Sequence, residues 1–240
     1  MVRLLESRGY NVLPPMRERA HPQDFAVEEV EILAQVRPYS MVADVAIIET
    51  CRAVEHAIQN DIPGAIVECG VYRGGCMMAA SLTLQRFGQT RDMYLFDTFE
   101  GMPPAQEVDY NFKGQQAQDM AKEIDDWAMA SLDEVKANLA KVNCDESQLN
   151  FVVGKVEDTL PEHAPDSIAV LRLDTDWYSS TYHELVHLYP QLSPGGVLVI
   201  DDYGHWNGCR EAVDQFIKEQ NTPIFLARTN DSARVAIKAA

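Results

Sequence analysis

The sequence predicts an α/β protein built on a doubly wound, mostly parallel seven-stranded sheet. Three observations predict it. From residue 65 onward, short apolar runs alternate with segments of helical period, the pattern of strand–helix–strand units. The run 168–173 (IAVLRL) is apolar except for Arg172, as expected of a strand covered on both faces. Glu68, Asp97, Asp174 and Asp201 each stand at the carboxyl end of a predicted strand, where open sheets of this kind bind ligands.

The elements follow in order. Residues 1–23 carry Pro14, Pro15 and Pro22 among charged residues and read as an irregular arm. Asp24 is placed to cap a helix over 25–36, with Val27, Val30, Ile32 and Leu33 as its apolar positions. A second helix spans about 41–59, and Pro63-Gly64 ends this lead-in. Residues 1–62 thus make an N-terminal arm with helices, and 63–240 make the main domain, the whole forming one compact unit. Within the domain, 65–68 is a strand, 75–87 a helix and 93–97 a second strand. Residues 99–119 hold Gly101, Pro103, Pro104 and Gly114 with few periodic positions, and a loop this long predicts an active-site lid. Ser131 with Glu134 is a capping box that opens a helix to about Lys141. Strands follow at 149–153 and 168–173, then a helix over 181–189 and a Pro194-Gly195-Gly196 turn. A strand over 197–200, a helix over 208–219 and closing strands at 224–227 and 234–237 complete the set.

Composition narrows the function. The formal charge is −17, from 20 basic and 37 acidic side chains, which repels phosphate backbones and anionic lipid. Neither a nucleic acid nor a membrane is expected as partner. No run reaches the roughly 18–20 apolar residues that span a bilayer, and the N-terminal stretch does not read as a signal peptide. Five cysteines without CxxC spacing argue against a disulfide framework or a structural zinc site. A reducing cytoplasm is the expected location.

The first candidate motif is Glu68-Cys69-Gly70-Val71-Tyr72-Arg73-Gly74-Gly75. Glycines let the backbone turn tightly, and the helix that follows presents free N–H groups to an anion. Glu68 adds a negative charge suited to an ammonium. An amino-acid moiety carries both charges and a dinucleotide pyrophosphate only the negative one, which tilts the motif from NAD toward S-adenosylmethionine. Asp97 can accept both ribose hydroxyls. Taken alone, the glycine pattern fits a plain strand–turn–helix corner equally well.

The second motif is stronger. One strand ends Leu173-Asp174-Thr175-Asp176 and another Ile200-Asp201-Asp202-Tyr203. In an extended chain Asp174 and Asp176 point to the same side. If the strands are neighbours, up to four carboxylates converge, and unpaired they would repel. A hard divalent cation such as Mg²⁺ removes that penalty. A hydroxyl beside such a cation becomes more acidic, and a nearby carboxylate can take its proton.

These residues resemble the macrocin O-methyltransferase family of antibiotic-sugar methyltransferases. The matching stretches are VECGVYRGG (67–75), FDTFEGMP (96–103), VEDTLP (156–161), LRLDTDWYSSTYHELVHLYPQLSPGGVLVIDDY (171–203) and GCREAVDQF (208–216). The resemblance implies a class I methyltransferase, Rossmann-like fold that binds S-adenosylmethionine and a divalent metal, Mg²⁺ among them. It implies methyl transfer to a hydroxyl of a sugar on a small secondary metabolite, and self-association into a homo-oligomer. It implies Asp174, Asp201 and Asp202 as metal ligands and Asp176 as general base. Glu68 and Asp97 then contact the methionine and ribose parts of the cofactor, and Asp158 contacts its adenine. Gly70, Tyr72, Gly74 and Thr98 line the cofactor turn, and the loop around 99–118 covers the acceptor.

Other readings compete, among them a cofactor-binding protein without catalysis and an NAD-dependent enzyme. A catechol or other phenol with adjacent hydroxyls could also chelate the metal. His183-Glu184-Leu185-Val186-His187 matches the H-E-x-x-H signature of zinc hydrolases, although no third ligand follows at a suitable spacing. Trp177 and Tyr178 fit either a sugar-stacking face or core packing, and His205 either assists proton removal or lines the pocket.

Overall fold

The computed structural model describes residues 21–124, 127–221 and 223–239. The arm expected over 1–23 therefore lies almost wholly outside the described residues. Helices α1 (Val27–Val36) and α2 (Asp44–Gln59) lead into β1 (Ala65–Cys69), α3 (Gly75–Arg86) and β2 (Met93–Asp97). A one-turn helix α4 (Ala117–Met120) precedes α5 (Leu132–Lys141), β3 (Leu149–Val153) and the short α6 (Val156–Thr159). Then come β4 (Ile168–Leu173), α7 (Tyr178–Leu188), β5 (Leu192–Ile200), α8 (Asn207–Gln220), β6 (Ala227–Arg228) and β7 (Arg234–Ile237). The seven strands form one sheet in the order β3-β2-β1-β4-β5-β7-β6. β3, β2, β1, β4 and β5 are parallel, and β7 runs antiparallel to β5 and to β6.

Side-chain alternation divides the apolar residues between the two faces. Ile66, Val197 and Val199 join the core that α1, α2, α3 and α5 cover. Val67, Cys69, Leu198 and Ile200 join the core beneath α7 and α8. Ile47, Ile48 and Val54 of α2 sit in the same cluster as β1 and β4, so the lead-in helices complete the sheet's cover. All five cysteines are buried and unpaired. No described helix is long and apolar enough to cross a membrane.

Several element boundaries move. Asp24 does not cap α1: Ala26 holds the cap position, and the Glu29 carboxylate accepts its N–H at 2.8 Å. Asp24 instead accepts a hydrogen bond from Arg52. α7 begins at Tyr178 rather than 181, because the buried Asp109 accepts the Tyr178 N–H at 2.9 Å from far along the chain. β5 starts at Leu192, since Pro194-Gly195-Gly196 forms an irregularity within the strand rather than a turn before it. The strand expected over 224–227 shrinks to Ala227–Arg228. The capping box is half formed: Ser131 Oγ accepts the Glu134 N–H at 3.3 Å, while the Glu134 carboxylate accepts from Arg73 at 2.6 Å.

Candidate active site

The strand order reverses between β1 and β4, and ligand sites of open sheets open beyond the carboxyl ends of strands at such a point. A cavity of about 480 Å³ lies there, within the range of small-molecule sites. Its walls bring together Glu68, Gly70, Tyr72, Asp97, Thr98, Asp174, Asp176, Asp201 and Asp202. Glu157, His205 and Trp206 join them.

Gly70 is required by a close approach. Its φ is +82°, and a Cβ there would stand 1.9 Å from the Asp174 carbonyl oxygen. The glycine thus lets the end of β1 touch the end of β4, rather than only a ligand. Tyr72 turns the chain with φ 48° and faces the cavity. Gly74 caps α3 with a left-handed φ of 88°, but it does not line the cavity. A Cβ on Gly74 would meet Val135 of α5 at 3.3 Å, so its task is to seat α5.

Asp97 faces the cavity with its carboxylate already engaged. Its Oδ2 accepts the Val71 and Tyr72 N–H groups at 2.7 and 3.0 Å, and its Oδ1 accepts the Phe99 N–H at 2.7 Å. It ties the glycine turn to β2. Thr98 donates to the Gly101 carbonyl at 2.7 Å and shapes the start of the following segment. Asp158 does not reach the cavity. α6 buries Val156 and Thr159, and its rotation leaves Asp158 exposed while Glu157 lines the wall. The acid of α6 that lines the cavity is therefore Glu157.

The aspartates converge as expected, with one addition. Arg172, 2% exposed, sits among them. Its Nε donates to Glu68 at 2.9 Å, and its Nη2 donates to Asp174 at 2.7 Å and Asp201 at 2.8 Å. One guanidinium thus faces several carboxylates and joins the β1 acid to those of β4 and β5. Carboxylate oxygens of Asp174, Asp201 and Asp202 still lie within 4.8 Å of one another. Asp202 Oδ2 and Glu68 Oε2 are buried without a hydrogen-bond partner. Asp176 reaches the group through a left-handed turn (φ 65°), not through strand alternation.

Burial and mutual repulsion raise the affinity of these acids for protons. Burial pushes Glu68 up to about 7, against the pull of Arg172. Burial, then the charge of Asp201, holds Asp174 well above the usual carboxylate range. Burial and the charges of Asp176 and Asp201 do the same to Asp202. Burial takes Asp176 to about 7, with Asp174 and Asp201 adding to the shift. One arginine does not neutralise this cluster. A hard cation would, and three convergent carboxylates with an unmet oxygen are a donor set that fits one.

The 99–119 segment is more ordered than its composition suggests. Isolated bridges pair Tyr110 with Gln116 and Asn111 with Trp206, and α4 closes it. Gly101, Met102, Pro103 and Met120 give the cavity an apolar wall. Trp177 packs against Trp127 and Trp206 and donates to the Pro103 carbonyl at 2.9 Å, a core position rather than a sugar platform. Trp206 and Trp127 line the cavity instead. Tyr178 stacks on Tyr182.

The H-E-x-x-H stretch is not a zinc site. Glu184 is fully buried and accepts from Thr175 Oγ1 at 2.9 Å. The rings of His183 and His187 pack 4.3 Å apart, and His183 lies 3.3 Å from the Leu160 carbonyl. Among the described residues the one group placed to share a metal is Asp174, Asp201 and Asp202.

A seven-stranded sheet with this order, its site lined by acids at the strand tips, is the class I methyltransferase fold. Within that class the chain belongs to the macrocin O-methyltransferase (TylF) family, whose profile matches residues 17–233. Demethyldecarbamoylnovobiocin O-methyltransferase of Streptomyces niveus is 34% identical over 166 residues, covering 69% of this chain and 62% of that protein. A Streptomyces olivaceus enzyme, 8-demethyl-8-(2,3-dimethoxy-alpha-L-rhamnosyl)-tetracenomycin-C 4'-O-methyltransferase, is 35% identical over 192 residues, 75% of this chain and 72% of its own. The structure of the O-methyltransferase NovP superposes with a TM-score of 0.76 at 30% identity, over 84% of this chain and 83% of that one.

Proposed function

We propose that the protein is a metal-dependent O-methyltransferase that moves the methyl group of S-adenosylmethionine to a hydroxyl of a sugar on a small secondary metabolite. The observation that carries this reading is the Asp174–Asp201–Asp202 cluster, with a buried unpartnered oxygen on Asp202, beside the glycine turn. S-adenosylmethionine supplies an electrophilic sulfonium methyl, and a divalent cation held by Asp174, Asp201 and Asp202 supplies charge that lowers the pKa of a hydroxyl. The free Oε2 of Glu68 suits the cofactor's ammonium, and the N–H groups that open α3 suit its carboxylate. Glu157 and Thr98, which line the cavity, would face the nucleoside, and Asp97, which holds the glycine turn, would lie beside its ribose. Asp176 takes the acceptor hydroxyl's proton. Met102, Pro103, Met120 and Trp127 exclude water and orient the acceptor, so that most of the acceleration comes from alignment. The 99–119 segment acts as the cover of that side.

The sugar acceptor is supported by the rhamnosyl 4'-position in the name of the Streptomyces olivaceus relative. Self-association belongs to the same reading and is checked by analytical ultracentrifugation. The reading as a whole is tested by assaying methyl transfer to glycosylated polyketides before and after exhaustive EDTA treatment. Loss of turnover on stripping, restored by Mg²⁺, is the expected result. Full turnover in EDTA removes the metal from the reaction.

A further inference from the structure

Glu184 is a costly residue where it stands. It is fully buried on the sheet-facing side of α7, its Oε2 has no partner, and burial pushes its carboxyl up to about 8. A leucine would fill that part of the core without desolvating a polar group. The single hydrogen bond it makes leads to the candidate site: Thr175 Oγ1 donates to Glu184 Oε1 at 2.9 Å. Thr175 stands between Asp174 and Asp176. Its carbonyl is held as well, accepting from the Trp177 N–H at 2.7 Å and the Ser180 hydroxyl at 3.3 Å. The Thr175 hydroxyl is therefore held by Glu184 in the body of α7, and its carbonyl by Trp177 and Ser180 at the start of that helix. The next residue, Asp176, holds a left-handed φ of 65°, a region that few non-glycine residues occupy and that aspartate tolerates better than most. Asp174, the preceding residue, donates its N–H to the Cys69 carbonyl at 2.9 Å. The sheet thus holds Asp174 by its backbone N–H alone, and its C-terminal side, with the turn to Asp176, is held through Thr175.

We propose that Glu184 is a positioning residue: through Thr175 it locks the 174–176 turn so that the Asp174 and Asp176 carboxylates are presented to the cation and acceptor. This rests on the metal-dependent reading above. The acid acts as a neutral acceptor, so glutamine, with a carbonyl oxygen in the same place, substitutes for it, and leucine does not.

The test uses EDTA-stripped protein titrated with Mn²⁺ and followed by electron paramagnetic resonance, with S-adenosylhomocysteine affinity measured in parallel by calorimetry. Wild type binds Mn²⁺, and Glu184→Gln stays within about twofold of it, whereas Glu184→Leu loses roughly tenfold or more, as when a partner that orients a metal ligand is removed. S-adenosylhomocysteine affinity changes by less than about twofold in each, since the Asp97 carboxylate, rather than Thr175, holds the Val71 and Tyr72 N–H groups of the glycine turn. Glu184→Leu binding Mn²⁺ as wild type does, whatever its melting temperature, overturns the positioning role and leaves the metal reading intact. Absence of Mn²⁺ binding by the wild type overturns the metal reading and this inference with it. Should Glu184→Leu fail to fold, Thr175→Val removes the same bond from its other end. The same loss is expected there, and unchanged Mn²⁺ affinity in that variant overturns the proposal.

Discussion

Arg172 and Asp202 define the site between them. The guanidinium satisfies one oxygen each of Glu68, Asp174 and Asp201, and Asp202, beside the Asp176 carboxyl, keeps a buried oxygen without a hydrogen-bond partner. Removing a metal-facing charge should therefore act on chemistry rather than on the cofactor turn. Asp174→Asn and Asp201→Asn should abolish turnover while S-adenosylhomocysteine affinity, read by calorimetry, stays largely intact. Asp176→Asn should lower turnover more than metal affinity, and equal losses would make it a ligand. At Glu184, burial moves the carboxyl from 4.5 to about 8. Between those values the folded chain keeps a proton that the unfolded chain has released, so stability falls as pH rises through that window. Glu184→Gln has no such proton, and its Tm relative to wild type should climb from about pH 5 to about pH 8. A constant difference would refute the neutral acid. The aspartates were readable from the sequence because two acidic pairs each follow a buried apolar run. Arg172's reach across three strands was not, since it depends on register: Arg172 lies opposite Glu68 on one side and Val199 on the other.

At the scale of elements, positions fixed by local pattern came through and those fixed by distant partners did not. The parallel strands were marked by continuous apolar residues, and β2, β3 and β4 match their expected bounds. The start of α7 was hidden because its cap, Asp109, lies outside its own neighbourhood. Asp109 also accepts the Gln106 N–H at 2.8 Å, so it clamps the 99–119 segment to α7. Asp109→Ala should cost about 1–2 kcal/mol, the loss of a helix cap and a buried acceptor. Urea melts measure it. Asp158 was misplaced for a similar reason: within a single helical turn, one residue's rotation decides which acid faces inward. Gly70→Ala should do more damage than either, because its Cβ would overlap the Asp174 carbonyl in a left-handed backbone. Cofactor and metal binding should fall together in that variant.

Over the whole molecule, a net charge of −17 leaves little to offset a buried acidic cluster from a distance. The topology was predictable because alternating strands and helices admit few parallel arrangements. The antiparallel β7 between β5 and β6 depended on pairings that a two-residue strand does not announce. A cation at the strand tips should stabilise the entire fold, by about 2.7 kcal/mol at one hundred times its dissociation constant. Asp202→Asn removes both a ligand and a repelling charge. In EDTA its Tm should match or exceed that of wild type, and in excess Mg²⁺ the order should reverse. The same order under both conditions would argue that the cluster is structural.

The most direct measurement is calorimetric titration of Mg²⁺ into EDTA-stripped protein saturated with S-adenosylhomocysteine, for wild type and Asp202→Asn. The account predicts one saturable site per chain in the wild type and its loss in Asp202→Asn. No binding by the wild type, or an unchanged isotherm in the variant, would contradict it.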